Sequence, residues 1–243
     1  MLEYGAILML GLVAGTVGGI LGFGSAIMLL PALVIVFGPR EAVPIMAVGS
    51  IMANASRVWV WRRELDWKLV ATYSATGIPA AALGARTLLQ LPSSWIEILL
   101  GTFFIAMIGL RRWMARQPWH MRLWHMAVVG ALIGFVTGLV VTTGPINAPF
   151  FIAYGLIKGA YIGTEALGSL AVFLSKAATF HAFGALHATT ALKGLLVGSS
   201  LVAGSLTAKR LLDHIRPEQF RQLIDLMLLV AGLTMYWAAW QGT

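Results

Sequence analysis

The chain has 243 residues, 59% of them hydrophobic and 11% charged, with a mean hydropathy of +0.85 and a formal charge of +8. A soluble domain of this size is about a quarter charged, so a large soluble domain is excluded and lipid must solvate most of the surface. No cysteine is present, which excludes disulfides, thiolate metal sites and thiol catalysis.

The first predicted element is the uncharged run 5–37. Glu3 precedes it without a basic flank, and the run is too long for a signal peptide, so it is expected to remain as the first membrane element. As one helix it would extend about 50 Å at 1.5 Å per residue, against a hydrocarbon core of about 30 Å. Gly22-Phe23-Gly24-Ser25 interrupts it near the centre, so a broken helix or a re-entrant hairpin is expected. Spans follow at 41–61, 67–89 and 94–112. The uncharged run 126–157 repeats the opening situation, interrupted at Thr142-Thr143-Gly144-Pro145, and spans at 160–184, 188–208 and 218–240 complete the chain. All nine tryptophans fall near predicted span ends, as an interfacial belt would.

An offset of 119 residues superimposes the two halves. Gly11, Gly15 and Gly19 recur as Gly130, Gly134 and Gly138, Gly49-Ser50 as Gly168-Ser169, and Ser56-Arg57 as Ser175-Lys176. The expected fold is therefore an all-α integral membrane protein, one transmembrane domain over 1–243. It would comprise repeat one (1–118) and repeat two (119–243), each a broken or re-entrant helical hairpin plus three transmembrane helices.

The basic residues test that topology. If each long run enters and leaves on one side, Arg62, Arg63, Lys68, Arg111, Arg112, Arg116, Arg122, Lys158, Lys209, Arg210, Arg216 and Arg221 all face the cytoplasm. Only Arg40, Arg86 and Lys193 then lie outside, as the positive-inside rule prefers. Each half crosses an odd number of times in this arrangement, so the repeats are inverted. Basic loops between apolar spans mark topology and contact with anionic membrane lipids; no nucleic-acid partner is expected.

Ser50, Asn54 and Arg57 stand at i, i+4 and i+7, on one face of a helix. Glu165, Ser169, Lys176 and His187 form the matching stripe of the second half. A cation deep in the bilayer costs roughly 2.5–3.5 kcal/mol on insertion scales, and two readings of the pair are open. Arg57 and Lys176 either bind an anion at mid-membrane or snorkel to the interface. A Lys176–Glu165 ion pair is disfavoured by about 16 Å along the helix.

The interruptions form a second constellation. A helix restarting at Ser25 or Gly144 aims free N–H groups and partial positive charge into the bundle. Serine suits an N-cap and Pro145 a first helical position, so Gly22, Gly24, Ser25, Thr143, Gly144 and Asn147 are candidate substrate ligands with the stripe residues. The outer glycines read instead as close helix packing. Asp225, His181, His187 and Glu165 are candidates for coupling to a proton or cation, and His120, His125 and His214 are loop residues.

These stretches carry a resemblance. Gly18-Gly19-Ile20-Leu21-Gly22-Phe23-Gly24-Ser25 followed by Pro31, Gly49-Ser50 through Arg62-Arg63-Glu64-Leu65-Asp66-Trp67, Gly84-Ala85-Arg86, Leu91-Pro92, Thr137-Gly138 and Thr142-Thr143-Gly144-Pro145 resemble the TauE/SafE sulfite-exporter family of permeases. Phe23 and Ser25 depart from the usual glycine run. The resemblance implies a multi-pass protein of the bacterial plasma membrane that moves sulfite or an organosulfonate.

The expected function is thus secondary transport of a small anion by alternating access around a central cationic site. A passive anion channel is the second reading. An intramembrane enzyme is third, since no zinc-protease helix, aspartate pair or serine hydrolase motif occurs, and a non-transporting membrane subunit is also open. No metal or cofactor is expected.

Overall fold

The computed structural model describes residues 2–114, 116–117, 119–208 and 217–241, and among them every regular element is an α-helix. In chain order they are α1 (Leu2–Leu21), α2 (Ser25–Phe37), α3 (Pro39–Trp61), α4 (Trp67–Leu89), α5 (Ser93–Met114), α6 (Leu123–Leu139), α7 (Gly144–Ala153), α8 (Lys158–Ala182), α9 (Ala188–Ala208) and α10 (Pro217–Gln241). Five of them (α1, α3, α5, α9 and α10) are long and apolar enough to cross a membrane. α4 and α8, of 23 and 25 residues, pack on one another. The chain is a multi-pass integral membrane protein.

Both uncharged runs break at their expected interruptions. Gly22 and Gly24 take φ of +82° and +103°, a backbone region that costs a residue with a Cβ but not glycine. The chain then reverses: the rings of Tyr4, at the start of α1, and Phe37, at the end of α2, lie 5.8 Å apart. In the second run Met121 N donates to Ala153 O at 3.1 Å, and Trp119 stacks on Phe150 at 5.2 Å. Each run is therefore a re-entrant hairpin rather than a broken span.

The hairpins open at opposite ends of the molecule. The first opens beside the start of α3, where Pro39 and Arg40 share a cleft with Leu89, Ile96 and Phe183. The second opens where α5 ends, Trp113 meeting Trp119 edge-on at 5.8 Å. At that same end Trp61 covers Gly159 of α8, and Asp66 N donates to Thr164 Oγ1 at 3.0 Å. Arg62, Arg63, Lys68, Arg111, Arg112, Arg116, Arg122 and Lys158 lie at this second end, and Arg40, Arg86 and Lys193 at the first. Lys209, Arg210, His214, Arg216 and the Arg221 side chain lie outside the described residues.

Exchanging α1–α5 with α6–α10 maps the principal contacts onto one another. α1 packs on α9 as α6 packs on α4, α3 on α9 as α8 on α4, while α3 meets α8 and α5 meets α10. The outer glycines make these approaches close. A Cβ on Gly15 would strike the Leu201 carbonyl, and one on Gly130, Gly134 or Gly138 would strike the carbonyl of Tyr73, Gly77 or Ala81. They are packing residues, as small-residue spacing in membrane helices commonly is.

Candidate anion site at the hairpin tips

The two tips meet inside the bundle: the side chain of Phe23, in the first, fills the space where a Cβ on Gly144, in the second, would project. Crossing beside them, α3 and α8 complete a chamber of about 30 Å³, lined by both tips together with Ser50, Asn54, Arg57, Glu165 and Ser169. That volume suits one or two water molecules, so the chamber is contracted in this conformation. α3 and α8, distant in sequence but packed together, thus bring the polar stripes face to face.

Arg57 is only 8% exposed, so it does not snorkel. Its Nη2 donates to Asn54 Oδ1, and Asn54 Nδ2 donates in turn to Ser50 O at 2.8 Å. This orients the guanidinium from within its own helix. Nε and Nη1 are buried with no hydrogen-bond partner, and Nη1 lies beside Gly22, where any Cβ would approach it to 3.8 Å. Burying a cation with two donor groups unspent is costly, and an arriving anion is the species that would relieve it.

Across the chamber Glu165 Oε1 accepts from Asn147 Nδ2 at 3.1 Å and from Ser169 Oγ at 2.7 Å. Oε2 has no partner, and neither do Asn147 Oδ1 or the Tyr161 hydroxyl. Tyr161 is absent from the sequence candidates, yet its hydroxyl sits 3.5 Å from the position of a Gly22 Cβ. Its place one helical turn before Glu165 was the signal for it, since i and i+4 share a face.

The tips differ in what they leave free. Gly24 caps α2 with no side-chain hydrogen bond, so the first-turn N–H groups have no cap, and Ser25 and Ala26 line the chamber. In α7, Pro145 has no N–H, Ile146 and Asn147 both donate to Thr143 O at 2.9 and 2.8 Å, and Gly144 N points at Thr142 Oγ1 at 3.4 Å. Only the first tip offers an anion a set of free backbone donors.

Lys176 also points inward, with 0% exposure, but not into the chamber. Its Nζ donates to Thr137 O at 2.8 Å and Val140 O at 2.6 Å, at the C-terminus of α6. A cation there meets the negative pole of the helix and satisfies carbonyls that have no partner within it. Thr137 Oγ1 and Thr143 Oγ1, 2.6 Å apart, tie the same tip together. Lys176 thereby holds the second tip in shape.

Of the coupling candidates, only Glu165 reaches the chamber. Asp225 is gripped by Arg111 and Arg112, Arg112 Nε donating to it at 2.9 Å. His181 is exposed, its Nδ1 3.3 Å from Leu186 O. His187 is exposed beyond the end of α8, so it leaves the stripe that the spacing suggested. Among the described residues no group of three or more acidic, histidine or cysteine side chains could hold a metal ion.

A family model described as Sulfite exporter TauE/SafE matches residues 7–235. No curated protein and no solved structure matches the chain.

Proposed function

Because the chain belongs to the TauE/SafE sulfite exporter family, we propose that it carries sulfite or an organosulfonate on Arg57 by alternating access. The observation behind this reading is the buried guanidinium with Nε and Nη1 unspent, facing the uncapped start of α2 across the Gly22 turn. Arg57 supplies charge and a planar fork suited to two oxyanion oxygens. Ser25, the α2 N–H groups, Ser50, Asn54, Ser169 and Tyr161 surround the remaining oxygens, and Gly22 and Gly24 let the backbone approach. On the other tip, Thr143, Gly144 and Asn147 close the chamber, and Lys176 acts through them by holding that tip.

Glu165 makes the site conditional. When it is ionised, its charge offsets that of Arg57 and the anion meets a nearly neutral chamber. When it is protonated, the cation is uncompensated and Oε2 can donate a hydrogen bond. Anion and proton therefore bind together, which is the coupling this geometry favours. The halves 1–118 and 119–243 act as inverted repeats whose hairpins, opening at opposite ends, rock alternately about the chamber. The end bearing Arg62, Arg63 and Lys68 is cytoplasmic.

The test is sulfite flux into proteoliposomes. A carrier saturates and is accelerated by sulfite on the far side, and Arg57→Ala abolishes the flux while the protein remains folded. Flux that neither saturates nor shows this acceleration would indicate a channel, and undiminished flux in Arg57→Ala would overturn the site.

A further inference from the structure

A second cavity, separate from the chamber and independent of the transport reading, lies between α5, α6 and α7 on the membrane-facing side. It is an open groove of about 790 Å³, within the range of sites that hold small molecules. Its inner wall is apolar: Val129, Ile133 and Ile146 are buried, and Phe150 stands beside them. Its mouth lies at the basic end of the molecule, framed by Trp113, Trp119 and Trp124. The exposed Arg116 and Arg122 lie in the same connection between α5 and α6 that supplies Trp119, His120 and Met121 to the lining.

We infer that this groove is a binding site for one acyl chain of an anionic phospholipid, whose headgroup rests against Arg116 and Arg122. Three features select that occupant. The groove is a cleft in the lipid-facing belt, so a lipid tail reaches it without leaving the membrane. Tryptophans frame its mouth, as they do at the headgroup level of membrane proteins. The mouth is cationic while the interior is apolar, which complements a negative headgroup on an apolar tail. Ile146 stands two residues beyond Gly144, so a tail in the groove braces α7 close to the tip of its hairpin. α5 packs on α7 as α10 packs on α2 in the first hairpin, and the bound lipid adds to that support.

The experiment is lipid retention. The full chain is reconstituted in nanodiscs of phosphatidylcholine and phosphatidylglycerol, extracted in mild detergent and weighed by native mass spectrometry. The wild type is expected to keep phosphatidylglycerol over phosphatidylcholine by about fivefold or more, the preference expected of even one basic residue near the headgroup. Val129→Phe fills the groove and should lose the retained lipid. The Arg116→Glu/Arg122→Glu double variant, altered only at exposed positions, should lose the preference, and it carries the test should Val129→Phe fail to fold. Equal retention of both lipids, unchanged phosphatidylglycerol preference in the double variant, or a dimer retaining no lipid would each overturn the assignment.

Discussion

Arg57 and Glu165 concentrate the chemistry at the residue scale, because each keeps polar atoms unspent in a region where unpaired polar groups are expensive. A hydrogen bond to a charged group contributes about 1.5–3 kcal/mol. Removing the guanidinium should therefore weaken sulfite binding roughly 10- to 150-fold. Arg57→Lys should recover only part of this, since an ammonium keeps the charge but not the planar fork. Isothermal titration of the three proteins checks the order wild type, Lys, Ala; equal affinities for Lys and Arg would refute the fork. Glu165 makes a separate claim about charge. Glu165→Gln keeps an oxygen to accept from Asn147 and Ser169 but removes the negative charge facing Arg57, so it should bind sulfite more tightly than the wild type. Equal affinities for the two proteins at one pH would exclude Glu165 as the group that conditions the site.

At the scale of elements, two kinds of packing set the geometry. Gly134 lets α6 lie directly on the α4 backbone at Gly77, so Gly134→Leu has no room and overpacks the contact. A cost of about 1–3 kcal/mol is expected, read as a lower unfolding midpoint in detergent. The Lys176 cap is the second device. Lys176→Met keeps the volume but leaves Thr137 and Val140 carbonyls without their donor, and should loosen the tip that closes the chamber. Its signature is faster proteolysis or hydrogen exchange over residues 137–147, while Arg57→Ala leaves that segment unchanged.

Helix limits and both interruptions were legible because they are local. Charge-free length exceeds a bilayer, glycine permits the positive φ, and a helix restarts at Ser25 and Gly144. The shared chamber of Ser50, Asn54 and Arg57 was legible because helical spacing places them on one face. The partner of Lys176 was not, since α6 carbonyls 36 and 39 residues away reach it only through tertiary packing. The ion pairs of Asp225 were hidden for the same reason: the two arginines that hold it come from α5. Tyr161 escaped notice because a tyrosine at a span end is ordinarily interfacial, whereas here its hydroxyl turns inward.

For the whole molecule, the account requires hairpins that open on opposite sides of the membrane. The chain has no cysteine, so any introduced thiol is the sole reporter. Arg63→Cys should react with an impermeant reagent only from the cytoplasmic face, and His187→Cys only from the other; labelling of both from one face would break the topology. The central claim is that a sulfur oxyanion rests on Arg57 between the tips, and Ser169→Cys tests it most directly. Saturating sulfite should slow modification of that thiol at least severalfold, and the added change Arg57→Ala should abolish the protection. Modification at the same rate with and without sulfite, in a protein that still transports it, would place the anion elsewhere.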